Sequence, residues 1–178
     1  ALSAASLMPA HAAEITANGG AVTQYIFRGV PQSSGKAAAQ GGVDATAGGF
    51  YLGTWGSQVD TSARIRPDDP TTPEPDPALQ GQRSGVEVDL YAGYAVDVGD
   101  FNLGVGGTGY FYTDGFDDTY AEVNFALGWK FINAEYAVGK YDADGNGDGN
   151  KDEYTFGAIT LDHAGFYGKW GTWGSDFS

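Results

Sequence analysis

From Glu14 onward, apolar and polar residues alternate with a period near two, and segments rich in glycine and aspartate interrupt the alternation. That pattern predicts β-strands separated by turns. In the segment 86–96, Val86, Val88, Leu90, Ala92 and Tyr94 fall on one face, with Glu87, Asp89, Tyr91 and Gly93 on the other. In 120–130, Val123, Phe125, Leu127 and Trp129 oppose Glu122, Asn124, Ala126, Gly128 and Lys130. In 132–141, Ile132, Ala134, Tyr136 and Val138 oppose Asn133, Glu135 and Gly139. Nine strands are predicted in all, at 21–29, 40–47, 50–59, 86–96, 101–113, 120–130, 132–141, 154–162 and 166–174.

The connections alternate in length. A polar stretch around Ser33 to Lys36, the segment 60–85, the segment 114–119 and the acidic run 142–153 are long. Gly48-Gly49, Val98-Gly-Asp100, the turn at Phe131 and Ala164-Gly165 are short. A strand of about eleven residues at ~3.3 Å per residue, tilted ~40°, rises about 28 Å, close to the apolar band of an outer-membrane barrel. Those barrels have short periplasmic turns and long external loops, so every long loop here is expected outside. A soluble antiparallel sheet would point its apolar face inward instead, and the alternation within one strand does not separate the two arrangements.

Glycine accounts for 29 residues and the sequence carries 10 Phe, 11 Tyr and 4 Trp, a composition that favours a β-rich wall over a helical bundle. The ribbon Gly49-Phe-Tyr-Leu-Gly-Thr-Trp-Gly-Ser57 returns as Gly165-Phe-Tyr-Gly-Lys-Trp-Gly-Thr-Trp-Gly-Ser175. Its rings suit the interfaces of a membrane barrel, and its glycines relieve crowding on a curved wall. The fold class is therefore read as all-β, an antiparallel up-and-down transmembrane β-barrel. An odd strand count would leave an open edge in lipid, so at least one closing strand is expected beyond residue 178.

The first residues are small and apolar, and Ala10-His11-Ala12 fits the signal-peptidase rule. Residues 1–12 are read as a signal-peptide remnant and 13–178 as the barrel domain, C-terminally truncated. No cysteine is present, which removes disulfides, thiol nucleophiles and Cys-zinc sites. A formal charge of -14 with only nine Lys and Arg argues against a nucleic-acid partner.

The run Thr23-Gln-Tyr-Ile-Phe-Arg-Gly-Val30 resembles the TorF family of porin-like proteins of Gram-negative bacteria. So do Ser34-Gly-Lys36, Gln40-Gly-Gly42, the Gly49 to Ser57 ribbon, Val86 to Tyr94 and Trp170 to Phe177, so the resemblance covers nearly all of 13–178. It implies an outer-membrane β-barrel acting as a porin. The proline-rich segment 67–77 and the aspartate-rich loop at 142 depart from that family's pattern.

Two groups of residues carry candidate chemistry. Asp142 to Glu153 fits the twelve-residue calcium-loop template, with Asp142, Asp144 and Asn146 as side-chain ligands, Asp148 through its carbonyl, Asn150 directly or through water, and Glu153 bidentate. Strands rather than helices flank it, so the alternatives are a solitary Ca2+ site between strands and a solvated acidic hairpin loop. The charges Arg28, Glu87, Asp89, Glu122, Lys130, Glu135 and Lys169 lie on the polar strand faces. They either line a cation-favouring path or pair across a narrow barrel and fill it. His163 stands on a predicted turn with no nucleophile beside it, and no pair of carboxylates stands out, so no enzymatic activity is expected. The expectation is a passive porin-like channel with cation preference, its partners outer-membrane lipid and small solutes or cations. The alternative is a non-conducting structural or adhesive surface barrel braced by calcium.

Overall fold

The computed structural model describes residues 13–60, 84–114, 116–117, 119–141 and 152–174, with the backbone alone at residue 152. The expected signal remnant, the proline-rich segment 67–77 and the ligand positions 142–150 lie outside the described residues. The fold is an antiparallel sheet of nine strands with no helix among the described residues. Its strands are β1 (Glu14–Val22), β4 (Ala38–Ala47), β5 (Phe50–Asp60), β6 (Ser84–Val98), β7 (Phe101–Tyr112), β8 (Tyr120–Trp129), β9 (Ile132–Tyr141), β10 (Asp152–His163) and β11 (Phe166–Trp173). They pair in chain order from β1 to β11, and these two edge strands do not pair with each other, so the sheet is not closed.

Eight of the nine expected strands are found within a few residues of their predicted places. The first is corrected: the edge strand is Glu14–Val22, not 21–29. The segment after it bears a separate two-stranded ladder, β2 (Ile26–Phe27) with β3 (Val30–Pro31). The apolar run Tyr25-Ile-Phe27 looks like strand, but Arg28 and Gly29 both adopt positive φ (49° and 86°) and turn the chain back on itself.

Four two-residue turns, 48–49, 99–100, 130–131 and 164–165, lie at one end of the sheet. Gly48 and Gly49, like Ala164 and Gly165, all have positive φ, the mirror-image turn geometry that matches the twist of paired strands. The longer connections all lie at the other end. One face of the sheet is apolar and uncovered: Leu52, Leu90, Val105, Phe125, Leu127 and Ile159 are 44–62% exposed. Aromatic pairs stand on that face near the short turns, Phe50 with Tyr94 and Phe101 with Trp129, at centroid distances of 4.8 and 6.3 Å.

The opposite face is polar and covered. Glu87, Asp89, Glu122 and Ser57 are buried there with Tyr110, Ala137, Tyr154 and Phe156. This inverts the usual soluble arrangement, in which a sheet hides its apolar face. Glycines on this face admit the rings. A Cβ at Gly93 would meet the Tyr51 hydroxyl and the Val105 carbonyl oxygen, and one at Gly139 would meet the Tyr154 ring. The glycine-aromatic ribbon thus serves both faces, its large rings spanning positions where the neighbouring strands carry no side chain.

Candidate functional site

The segment 23–37, between β1 and β4, lies against the polar face. Tyr25 packs on Trp55 of β5 and Phe27 on Tyr110 of β7, with ring centroids 5.4 and 5.6 Å apart. The Tyr25 hydroxyl donates to Glu87 Oε1 of β6 at 2.6 Å, and Trp173 Nε1 of β11 donates to the Arg28 carbonyl at 3.2 Å. One short segment therefore touches side chains of β5, β6, β7 and β11, which requires the sheet to curl around it. The segment is tied down at its far side too: Asp60 N donates to the Gln32 carbonyl, and the Ser34 hydroxyl to the Asp60 carbonyl.

Arg28 is the centre of this interior. It does not sit on a strand, as its place in the alternation suggested, but on the β2–β3 turn. Its guanidinium still reaches the wall, donating to Glu122 through Nη1 at 2.8 Å and Nη2 at 2.9 Å. Glu122 is wholly enclosed, its side chain 0% exposed, against 12% for that of Arg28. The carboxylate also accepts from Tyr110 (2.5 Å), Asn124 Nδ2 (2.7 Å) and Tyr154 (3.1 Å). The fork geometry and these neutral donors are what make a buried ion pair tolerable in place of hydration. The guanidinium lies over the rings of Phe156 (4.6 Å) and Phe27 (4.7 Å), with Trp173 at 5.7 Å. Burial disfavours the Arg28 charge, but the hydrogen bonds and attraction of Glu122 outweigh that and lift the group above its ordinary pKa. Burial, then the Glu87 carboxylate, push the Tyr25 hydroxyl far above its ordinary value, so it remains a proton donor.

The remaining expected charges divide. Glu87 and Asp89 face inward with Glu122, and Asp89 Oδ1 is buried without a hydrogen-bond partner in the structure. Among the described residues, these three buried carboxylates share the interior with the Arg28 guanidinium. Glu135 of β9 and Lys169 of β11 pair with each other at 2.7 Å, each about two-fifths exposed. Lys130 is corrected: it is a turn residue with φ 54°, and its ammonium lies 4.7 Å from the Trp129 ring, outside the interior. A positive φ at the first residue of a two-residue hairpin turn takes the side chain out of the strand alternation that assigns it inward.

Of the six calcium-loop positions only Glu153 is described, and its carboxylate bonds Lys140 Nζ at 2.6 Å. Among the described residues no group of three or more His, Asp or Glu converges on a metal position. The sequence reading missed the tyrosines. Tyr25, Tyr110 and Tyr154 supply hydroxyls to the buried carboxylates, and their signal was available, since Tyr110 and Tyr154 occupy the same strand face as the acids.

No curated protein and no solved structure matches the chain. A family model described as a bacterial protein of unknown function, Gcw_chp, matches residues 6–161. With most of its length covered by that model, the chain belongs to the Gcw_chp family of bacterial proteins of unknown function.

Proposed function

We propose that this protein is an exported outer-membrane β-barrel of a Gram-negative bacterium, a porin-like channel passing small solutes or ions with a preference for cations. The observation that carries the reading is the inversion of burial: Leu90 is 54% exposed while its neighbours Glu87 and Asp89 are 2% and 9% exposed. In water, an apolar face of this extent costs free energy and invites association, whereas in lipid it is the favourable face. The aromatic pairs near the short turns fit an interfacial girdle. A wall in lipid cannot keep open edges, so the proposal requires the free edges of β1 and β11 each to find a partner strand in the bilayer. Cation preference rests on the excess of inward carboxylates over Arg28.

One observation favours a second reading. Segment 23–37 occupies the interior and is latched to Glu122, which suits a barrel that does not conduct and whose acidic external loop, residues 142–153, binds Ca2+ in an adhesive or structural role. Single-channel recording of the full-length protein refolded into planar bilayers, with calcium and then with chelator, separates the two. Discrete steps with a cation-selective reversal potential support the channel. A folded, heat-modifiable protein that never conducts overturns it in favour of the surface barrel.

A further inference from the structure

Among the described residues, Asp89 Oδ1 is the one buried side-chain polar atom with no hydrogen-bond partner. The other enclosed acids are engaged: Glu87 accepts from Tyr25, and Glu122 from Arg28, Tyr110, Asn124 and Tyr154. Asp89 is only 9% exposed, so little water reaches it. Its place in the ladder explains why this oxygen stands alone. In register Asp89 lies between Trp55 of β5 and Tyr110 of β7. The Trp55 ring packs on Tyr25 and the Tyr110 hydroxyl is turned to Glu122, so neither neighbour serves Oδ1. We infer that Asp89 is the binding station of a small monovalent metal cation on the polar face.

A buried carboxylate oxygen left bare costs free energy, and an ion is one of the few partners that offsets it. The local charge calls for a positive one. Arg28 balances Glu122, whereas Glu87 and Asp89, two residues apart on one face of β6, form no ion pair among the described residues. The ion has to be small, because Asp89 is nearly enclosed. It carries a single charge, because among the described residues no three acidic side chains converge to hold a multivalent one. The way in is from the short-turn end. In that direction the polar face carries Tyr91, Asp44, Thr108 and Asn124, all half-buried rather than sealed. The Tyr91 hydroxyl donates to Asp44 Oδ1 at 2.5 Å and that of Thr108 to Asn124 Oδ1 at 3.0 Å, so polar oxygens lead up to the buried carboxylate.

The site deepens the proposed channel reading and rests on it only for which face of the sheet meets water inside, and its test does not depend on conduction. Full-length protein refolded in detergent is unfolded with urea in the chloride of Na+, K+ or N-methyl-D-glucamine at one ionic strength, with EDTA throughout to keep calcium from the 142–153 loop. Tryptophan fluorescence gives the midpoint, and heat-modifiable gel mobility checks folding. Na+ or K+ is expected to raise the midpoint saturably over the organic cation, lowering the unfolding constant about tenfold at ten times its dissociation constant. Asp89→Asn is expected to abolish that dependence and, in the organic salt, to be at least as stable as the native chain, because it removes an unpaired buried charge. Asp162→Asn, the same change of charge at an exposed position, keeps the dependence. Asp89→Ser reads the same way should the amide prevent refolding. A midpoint that does not distinguish the salts, or a metal-ion dependence that survives in a folded Asp89 variant, overturns the site and leaves a proton or water as the partner of Asp89. Asp89-dependent stabilisation in a protein that never conducts retires the channel alone, and a cation-selective protein whose midpoint is indifferent to Na+ and K+ retires this inference alone.

Discussion

Replacing Arg28 by Ala removes the cation from an interior that keeps its acids. The perturbation leaves Glu122, its side chain fully enclosed, with only the neutral donors Tyr110, Asn124 and Tyr154. Breaking a buried pair by deleting one partner costs about 3–5 kcal/mol, and the contacts with Phe27 and Phe156 add roughly 1 kcal/mol more. Glu122→Gln strands the guanidinium instead and is expected to cost a similar amount. The double variant loses both charges, so it should be far more stable than the sum of the single losses predicts, with a coupling of about 2–3 kcal/mol. The assay is urea unfolding of each protein refolded into phospholipid vesicles, read by tryptophan fluorescence at unchanged m-value. Single losses that simply add, with coupling under ~0.5 kcal/mol, would refute the view that this pair holds segment 23–37 in place.

Other outcomes follow from the same geometry. Leu90→Arg, on the apolar face, is expected to lose about 2–4 kcal/mol in vesicles if that face meets lipid, and refolding yield together with urea midpoint would read it. Gly93→Ala forces a Cβ onto the Val105 carbonyl oxygen as well as the Tyr51 hydroxyl, so it should cost about 1–3 kcal/mol, and Tyr51→Ala should not restore it. Ala164, at φ 52°, is a non-glycine residue in left-handed conformation, and Ala164→Gly is expected to raise the urea midpoint by the equivalent of about 0.5–1 kcal/mol. Lys169→Ala removes only a half-exposed pair with Glu135 and should change stability by less than about 1 kcal/mol.

The strands and short turns were legible because each follows from a local rule: alternation gives the face, and a pair such as Gly48-Gly49 gives the turn. The face assignments of Glu87, Asp89 and Glu122 also followed from parity alone. Arg28 and Lys130 escaped that rule for one reason. Both adopt positive φ, and such a residue leaves the two-residue period while still looking, in sequence, like the end of a strand. The direction of the apolar face was not legible either, since alternation is symmetric between inside and outside. It took the contacts of segment 23–37, bridging residues far apart in sequence, to say which face is enclosed.

The order of the strands has a consequence for how the molecule comes into being. Every ladder in the main sheet joins strands that are neighbours in sequence apart from the β2–β3 excursion, so the wall can grow one hairpin at a time with little loop entropy to overcome. The interior bonds are of another kind, spanning 62 residues from Tyr25 to Glu87, 94 from Arg28 to Glu122 and 145 from Arg28 to Trp173. The Arg28 latch needs β8 and β11 already in place, and so it is expected to close after the wall has formed. Time-resolved refolding should therefore pass through a species with strand signal complete and the Trp173 environment still unlike the native one, the wall standing before its interior is sealed.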